Sequence, residues 1–286
     1  MAGERTNSHA EDLLARATAS EDDASAMPSA VVIFAHPDDE TVALGGRLGR
    51  FQHARLVHAT DGAPQNEQDS RAQGFSSLGA YRRARQQELA LALLLAGLSG
   101  TSRECLQIPD QQASLQLAQL TRHVVRLLAT HRPEVVFTHP YEGGHPDHDA
   151  CAFAVQHAVA ILSRGQASPV VVESTFYHAG PEGIATGFFL PSASSLSEIT
   201  YALTGEEKRR KRALMGCFAT QQETLRYFPT DTESFRLAPN YDFRKPPHVP
   251  PVFYDRYAWG MTCGRFCELA QDAEDTLREE MVAECT

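Results

Sequence analysis

The sequence contains no run of about 18 apolar residues, so no segment reads as a bilayer-spanning helix. The N-terminal stretch is polar and acidic and lacks the apolar centre of a signal peptide. Basic charge is scarce: 26 Lys and Arg stand against 36 Asp and Glu, a formal net charge of −10. That balance argues against a nucleic-acid partner, which would call for a basic footprint. The six cysteines, Cys105, Cys151, Cys217, Cys263, Cys267 and Cys285, form no C-x-x-C pair. Scattered in this way they read as reduced thiols of a cytoplasmic protein. No G-x-G-x-x-G follows the first apolar segment, so the usual dinucleotide fingerprint is missing. No internal repeat occurs.

What is present is a chain of 286 residues, 42% of them hydrophobic, enough for a sizeable core. Residues 1–29, rich in Ala, Ser, Glu and Asp, read as a flexible tail, disordered or loosely helical. Residues 30–286 read as a single domain. Short apolar strands are predicted at 31–34, 55–59, 105–108, 135–137 and 170–177. Helices are predicted over 41–52, 79–98, 115–130 and 147–163. This alternation argues for βαβ units and a mostly parallel sheet, an α/β fold. Beyond 180 the pattern loosens. A short strand is expected at 187–190, helices at 206–218 and 266–284, and irregular chain across the Pro-rich 229–251. The basic run KRRKR at 208–212 reads as a solvated helix face, with contact to an anionic substrate as its functional alternative. Tyr257 and Trp259, the one tryptophan, are expected to pack rather than to wall a pocket.

Two polar clusters stand out: His36-Pro37-Asp38-Asp39-Glu40 after the first apolar strand, and 139–149 (HPYEGGHPDHD) after the fourth. Both should lie at the carboxyl edge of the sheet, where open α/β folds bind ligands. His36 and Asp39 are three apart, as are His145 and His148. Three apart in a first helical turn puts both side chains on one face. Two His and one carboxylate suffice for a catalytic zinc site with an open position for water. Asp38, beside a ligand but directed elsewhere, is placed to act as general base. The same donor set serves non-haem Fe(II) oxygenases, so Fe2+ stays open as the metal. The remaining histidines read as ordinary, with His139 the one that enters the second cluster.

The segment Ala35-His36-Pro37-Asp38-Asp39-Glu40 together with His145-Pro146-Asp147-His148 resembles the paired motif of the PIG-L/LmbE family of zinc-dependent N-deacetylases. These act on N-acetylglucosaminyl groups in sugar conjugates. The resemblance spans roughly 31–177, with smaller likenesses at Thr60-Asp61-Gly62, at Arg85 and Glu88, at Gly97, at Pro109-Asp110 and over 208–222. It implies a Rossmann-like three-layer α/β/α fold. His36, Asp39 and His148 would be the zinc ligands and Asp38 the base. A protonated His145 would stabilise the transition state, and Asp147 would orient its neighbouring imidazole. Arg85 and Asp110 match positions that contact sugar hydroxyls. The chain departs from the pattern at Gly143, where relatives carry a Tyr, leaving Tyr141 as the nearest phenol. Gln111 stands where a Gly usually follows the P-D pair. The expected partner is a small amino-sugar substrate, with neither membrane nor nucleic acid; homo-oligomerisation is left open. An amidase acting on another conjugate is the alternative within the same fold.

Overall fold

Residues 2–164, 168–191 and 197–283 are described by the computed structural model, with side chains from residue 8 onward. A first helix, Ala2–Ala17 (α1), precedes the strand Ala30–Phe34 (β1). β1 leads into the short helix Asp39–Leu44 (α2), and Arg55–Pro64 (β2) follows. Next come Gln68–Ala72 (α3), Leu78–Leu95 (α4), Ser102–Asp110 (β3) and Leu117–His131 (α5). Val135–Thr138 (β4), Pro146–Leu162 (α6) and Val170–Ser174 (β5) complete the alternating half. Tyr177–Gly180 (β6) and Gly183–Thr186 (β7) form a separate hairpin. Glu198–Ala202 (β8), Gly205–Met215 (α7), Gln222–Leu225 (α8), Thr232–Leu237 (β9) and Cys263–Ala283 (α9) close the fold.

The main sheet has seven strands in the order β3-β2-β1-β4-β5-β9-β8. The first five run parallel; β9 and β8 join antiparallel. β1 shows why three layers form. Its alternate residues Val31 and Ile33 enter a core with α5, α6 and α9, while Val32 and Phe34 enter a second core with α1, α2 and α4. In α5 the buried stripe is Leu117, Leu120, Val124, Leu127 and Leu128, a spacing of three and four that turns one face to the sheet. Two helix starts are explained locally. Ser77 caps α4 by accepting from Ala80 N, and Thr204 with Glu207 builds a capping box on α7.

Five expectations need correction. The stretch expected to be a flexible tail holds α1, whose Leu13, Leu14 and Ala17 are buried in the second core. The helix expected over 41–52 stops at Leu44. Gly45 and Gly46 follow, where a Cβ on Gly45 would lie 2.9 Å from Lys211 Cγ of the crossing α7, and the chain resumes as a one-turn 3₁₀ helix, Leu48–Phe51. The segment 187–190 is not a strand, and the strand expected over 170–177 ends at Ser174, with Tyr177 already in the hairpin. The Pro-rich 229–251 contains β9, a buried strand whose Glu233 and Arg236 each find an opposite charge. Those ion pairs put charged letters where a buried strand would ordinarily show apolar ones. Cys105, Cys151, Cys217, Cys263 and Cys267 are free thiols, and Cys285 lies outside the described residues.

Candidate metal centre

Adjacent strands β3, β2, β1 and β4 end at one edge, and each delivers part of the site. Ala35 O, just past β1, accepts from both the backbone N and the hydroxyl of Thr60, each at 2.9 Å. The chain then turns sharply. Asp38 adopts φ 135°, a region that costs a non-glycine residue about 1–3 kcal/mol. Neighbouring bonds hold it there: His36 N donates to Asp39 Oδ2 at 2.7 Å, and Asp38 N to Glu40 Oε2 at 3.2 Å. Glu40 is itself fixed by the Thr41 hydroxyl at 2.9 Å and by His58 Nε2 at 3.0 Å. The turn sends consecutive carboxylates to different partners, Asp38 toward Arg85 and Asp39 toward His148.

The second cluster follows β4. A Cβ on Gly144 would lie 2.0 Å from the carbonyl oxygen of Tyr177, so only glycine permits this approach. His145 is the N-cap of α6, and Pro146 occupies the first turn. His148 sits in that same turn, directed at β1.

Three donor atoms converge. His36 Nδ1 is 3.3 Å from His148 Nε2 and 3.4 Å from Asp39 Oδ2; His148 Nε2 is 3.5 Å from Asp39 Oδ1. Ligands at zinc distances of about 2.0–2.1 Å in tetrahedral geometry stand about 3.3–3.5 Å apart, the spacing at which the two imidazole nitrogens face each other and each faces one oxygen of the Asp39 carboxylate. The surroundings also call for positive charge. Burial alone would lower His36, but Asp110, Asp147 and Asp39 outweigh it and raise it well above the ordinary value. Burial would raise Asp39, but His148 and His139 hold it well below the usual carboxylate range. Buried donors that jointly demand a cation fit a divalent metal. With Nδ1 turned to that point, His36 presents Nε2 to Asp110 Oδ1 at 3.1 Å and Asp147 Oδ2 at 3.3 Å, as ligating imidazoles ordinarily do.

Those contacts place Asp147 and His145. The carboxylate of Asp147 lies against His36 and accepts from Gln111 N (2.6 Å) and Ala113 N (2.9 Å); it stands 3.9 Å from His145 Nδ1. His145 is oriented instead by the backbone N–H of Asp147, which donates to its Nδ1 at 3.1 Å. Burial and the charge of His36 push the pKa of His145 well below its ordinary value. With Nδ1 accepting, a ring proton resides on Nε2, 3.6 Å from Asp110 Oδ1. His139, set aside in the sequence, is fully buried. Its ring stacks on His148 at 3.8 Å, and its Nε2 lies 3.3 Å from Asp39 Oδ2 and accepts from Ala35 N.

Residues 31–159 match the PIG-L family, described as GlcNAc-PI de-N-acetylase. Solved structures share the architecture of this chain. The A40926 pseudoaglycone deacetylase Dbv21 is 18% identical with a TM-score of 0.56, covering 73% of this chain and 96% of its own. A deacetylase from the teicoplanin biosynthesis pathway is 15% identical at 0.57, with 73% and 96% covered. The zinc-inhibited form of teicoplanin deacetylase Orf2 is 14% identical at 0.55, with 73% and 97% covered. At these identities the likeness is one of fold.

The segment 31–159 supplies the floor of a cavity of about 300 Å3, where His36, Asp38, Asp39, Arg85, Asp110, His145 and His148 all reach the surface of the void. Arg85 is buried; its Nε donates to Gly62 O at 3.2 Å and its Nη1 faces Asp38 Oδ2 at 3.4 Å. Burial lifts Asp38 to about 7 against the opposing pull of Arg85. Much of the wall comes from beyond residue 159: Tyr177, Phe228, Phe253, Tyr257 and Trp259. Tyr257 and Trp259, expected only to pack, stack on each other at 4.6 Å, and the Trp259 ring lies 4.9 Å from that of His145. Tyr141 belongs to the core instead, donating to Lys245 O at 2.9 Å. The basic run is not all solvated: Lys211 is buried and paired with Glu233 at 3.2 Å. The signal for these wall residues is three-dimensional, since nothing local ties 253–259 to His145.

Proposed function

We propose that this protein is a zinc-dependent hydrolase that removes the acetyl group from an N-acetylated amino sugar or sugar conjugate. The observation carrying that reading is the convergence of His36 Nδ1, Asp39 and His148 Nε2 beneath a cavity that also exposes Asp38 and His145. The match of residues 31–159 to the PIG-L family and the deacetylase activity named for the similar structures support it. Zinc held by those three residues would supply Lewis acidity, polarising an amide carbonyl and lowering the pKa of water from 15.7 to about 7.

The remaining steps belong to the chain. Asp38 takes a proton from the attacking water on its carboxylate. Its environment, lifted to about 7 by burial, matches a base that must also give the proton back. The amide C–N bond breaks, the proton passes from Asp38 to the departing nitrogen, and acetate and a free amine leave. His145 offers Nε2–H to the oxygen that gains negative charge, held in place by the Asp147 N–H at its other nitrogen. A preorganised donor of that kind is worth about 3–4 kcal/mol in the transition state. His36 is kept in register by Asp147 and Asp110. Arg85 and Asp110 border the cavity where a sugar hydroxyl would lie.

The test is direct. The purified protein is incubated with N-acetylglucosamine and its glycosides, with zinc or with a chelator, and amine and acetate are measured. One equivalent of each, abolished by the chelator and restored by zinc, is expected. Release that ignores the chelator, or none from any N-acetylated sugar, would overturn the proposal.

A further inference from the structure

We infer that the cavity discriminates against negative charge and takes an N-acylated glycoside whose other substituents are neutral or cationic, so that phosphate-bearing sugars are poor ligands. This rests on the deacetylase reading for the reaction but on the wall itself for the selectivity. Five carboxylates border the void, those of Asp38, Asp39, Asp69, Asp110 and Glu223. Imidazoles apart, Arg85 is the one cationic side chain among the lining residues. It is already committed to Asp38 and Gly62 O. Even with a divalent cation on the floor the wall stays net negative.

Phosphate sites are built from free Arg forks, Lys or the backbone N–H groups of a helix start. Among the described residues near this cavity such resources are engaged, Arg256 with the carbonyls of Gly183 and Gly180. Arg226 pairs with Glu223 at 2.8 Å and Arg82 with Asp61. At the start of α6, His145 itself accepts the N–H of Asp147. The basic run 208–212 offers no substitute. Lys211 faces Glu233 and Arg210 faces Glu21 at 2.7 Å, and no residue of the run borders the void. What the wall presents beside the carboxylates is aromatic surface. The stacked Tyr257 and Trp259 lie next to His145, suited to the apolar face of an uncharged pyranose.

Trp259 is the one tryptophan in the chain, so its emission reports on this wall alone. The experiment titrates zinc-loaded protein at low ionic strength with three N-acetylglucosamine glycosides, carrying methyl, aminoethyl and phosphoethyl groups. Methyl and aminoethyl glycosides are expected to saturate the Trp259 signal at concentrations at least tenfold lower than the phosphoethyl glycoside. High salt should narrow that gap. Repeating the titration on chelated protein separates wall charge from direct contact of phosphate with the metal. The Asp69→Asn, Glu223→Gln double variant should bring the phosphoethyl glycoside at least threefold closer to the methyl one. Equal or tighter binding of the phosphoethyl glycoside overturns the inference, as does a Trp259 signal that none of the three perturbs. Failure of the deacetylase reading looks different: the binding order holds while no glycoside releases an amine.

Discussion

Arg85 Nη1 stands 3.4 Å from Asp38 Oδ2, both side chains buried, with Gly62 O holding the guanidinium from behind. A Cβ on Gly62 would lie 2.9 Å from Arg85 Nε, so the glycine is what lets Arg85 settle there. The pairing sets two opposing influences on one carboxylate: burial raises Asp38, and Arg85 lowers it. Removing the cation leaves burial unopposed. Arg85→Gln should therefore move the acidic limb of the kcat/KM profile to higher pH, because the base must be ionised to work. A pH–rate profile of the variant checks it; an unmoved limb would mean that Arg85 does not act on Asp38.

Asp38→Asn tests the base itself. The amide keeps the size and cannot take a proton. General-base contributions are about 10²–10⁴-fold, so kcat should fall by that range while zinc content stays at one per chain. Metal analysis and turnover on the same sample decide it. Turnover near wild type would transfer the role to another group.

Asp39→Asn and His148→Ala should each lose the metal rather than merely slow the reaction. A ligand that binds only the folded state at one hundred times its Kd stabilises it by about 2.7 kcal/mol. Zinc should thus raise the Tm of the native protein and leave the Tm of both variants unchanged. A zinc-dependent rise in either variant would take that residue out of the ligand set.

The strands that carry the donor residues were legible because β1 and β4 are buried on both faces and read as short apolar runs. The polar letters that follow them could not be core, and they do meet at one edge. β9 was hidden by the opposite circumstance. Glu233 and Arg236 lie inside the sheet and are neutralised by partners far along the chain, so no local window shows a strand. α1 was hidden because its buried face is only Leu13, Leu14 and Ala17 among charged neighbours. Trp259 reaches His145 through a fold of the C-terminal segment that leaves no periodic trace in 253–259.

Leu14→Ala separates the two readings of the N-terminal stretch. In a flexible tail the change would be silent. Leu14 is instead fully buried against the second core, where Leu→Ala substitutions cost about 2–5 kcal/mol. Urea unfolding should show a midpoint shift of that size, with the slope unchanged.

Glu233 offers the sharpest stability test away from the metal. It accepts from Arg47 Nε at 2.7 Å and from Gly46 N at 2.8 Å, and faces Lys211 Nζ at 3.2 Å. All three side chains are buried, with Arg47 also lying 4.3 Å over the ring of Tyr201. One carboxylate thus balances two cations where α2, α7 and β9 meet. Taking away the anion leaves two buried positive charges facing each other, and breaking a buried pair in this manner costs about 3–5 kcal/mol. Glu233→Gln keeps the shape and the hydrogen bond to Gly46 while removing the charge. Its unfolding free energy should drop by most of that amount, and zinc content of the folded fraction should stay at one per chain. Replacing Lys211 by Met should be far milder, because Arg47 and Glu233 still pair. Equal losses in the two variants would mean that packing, and not charge, holds this junction together.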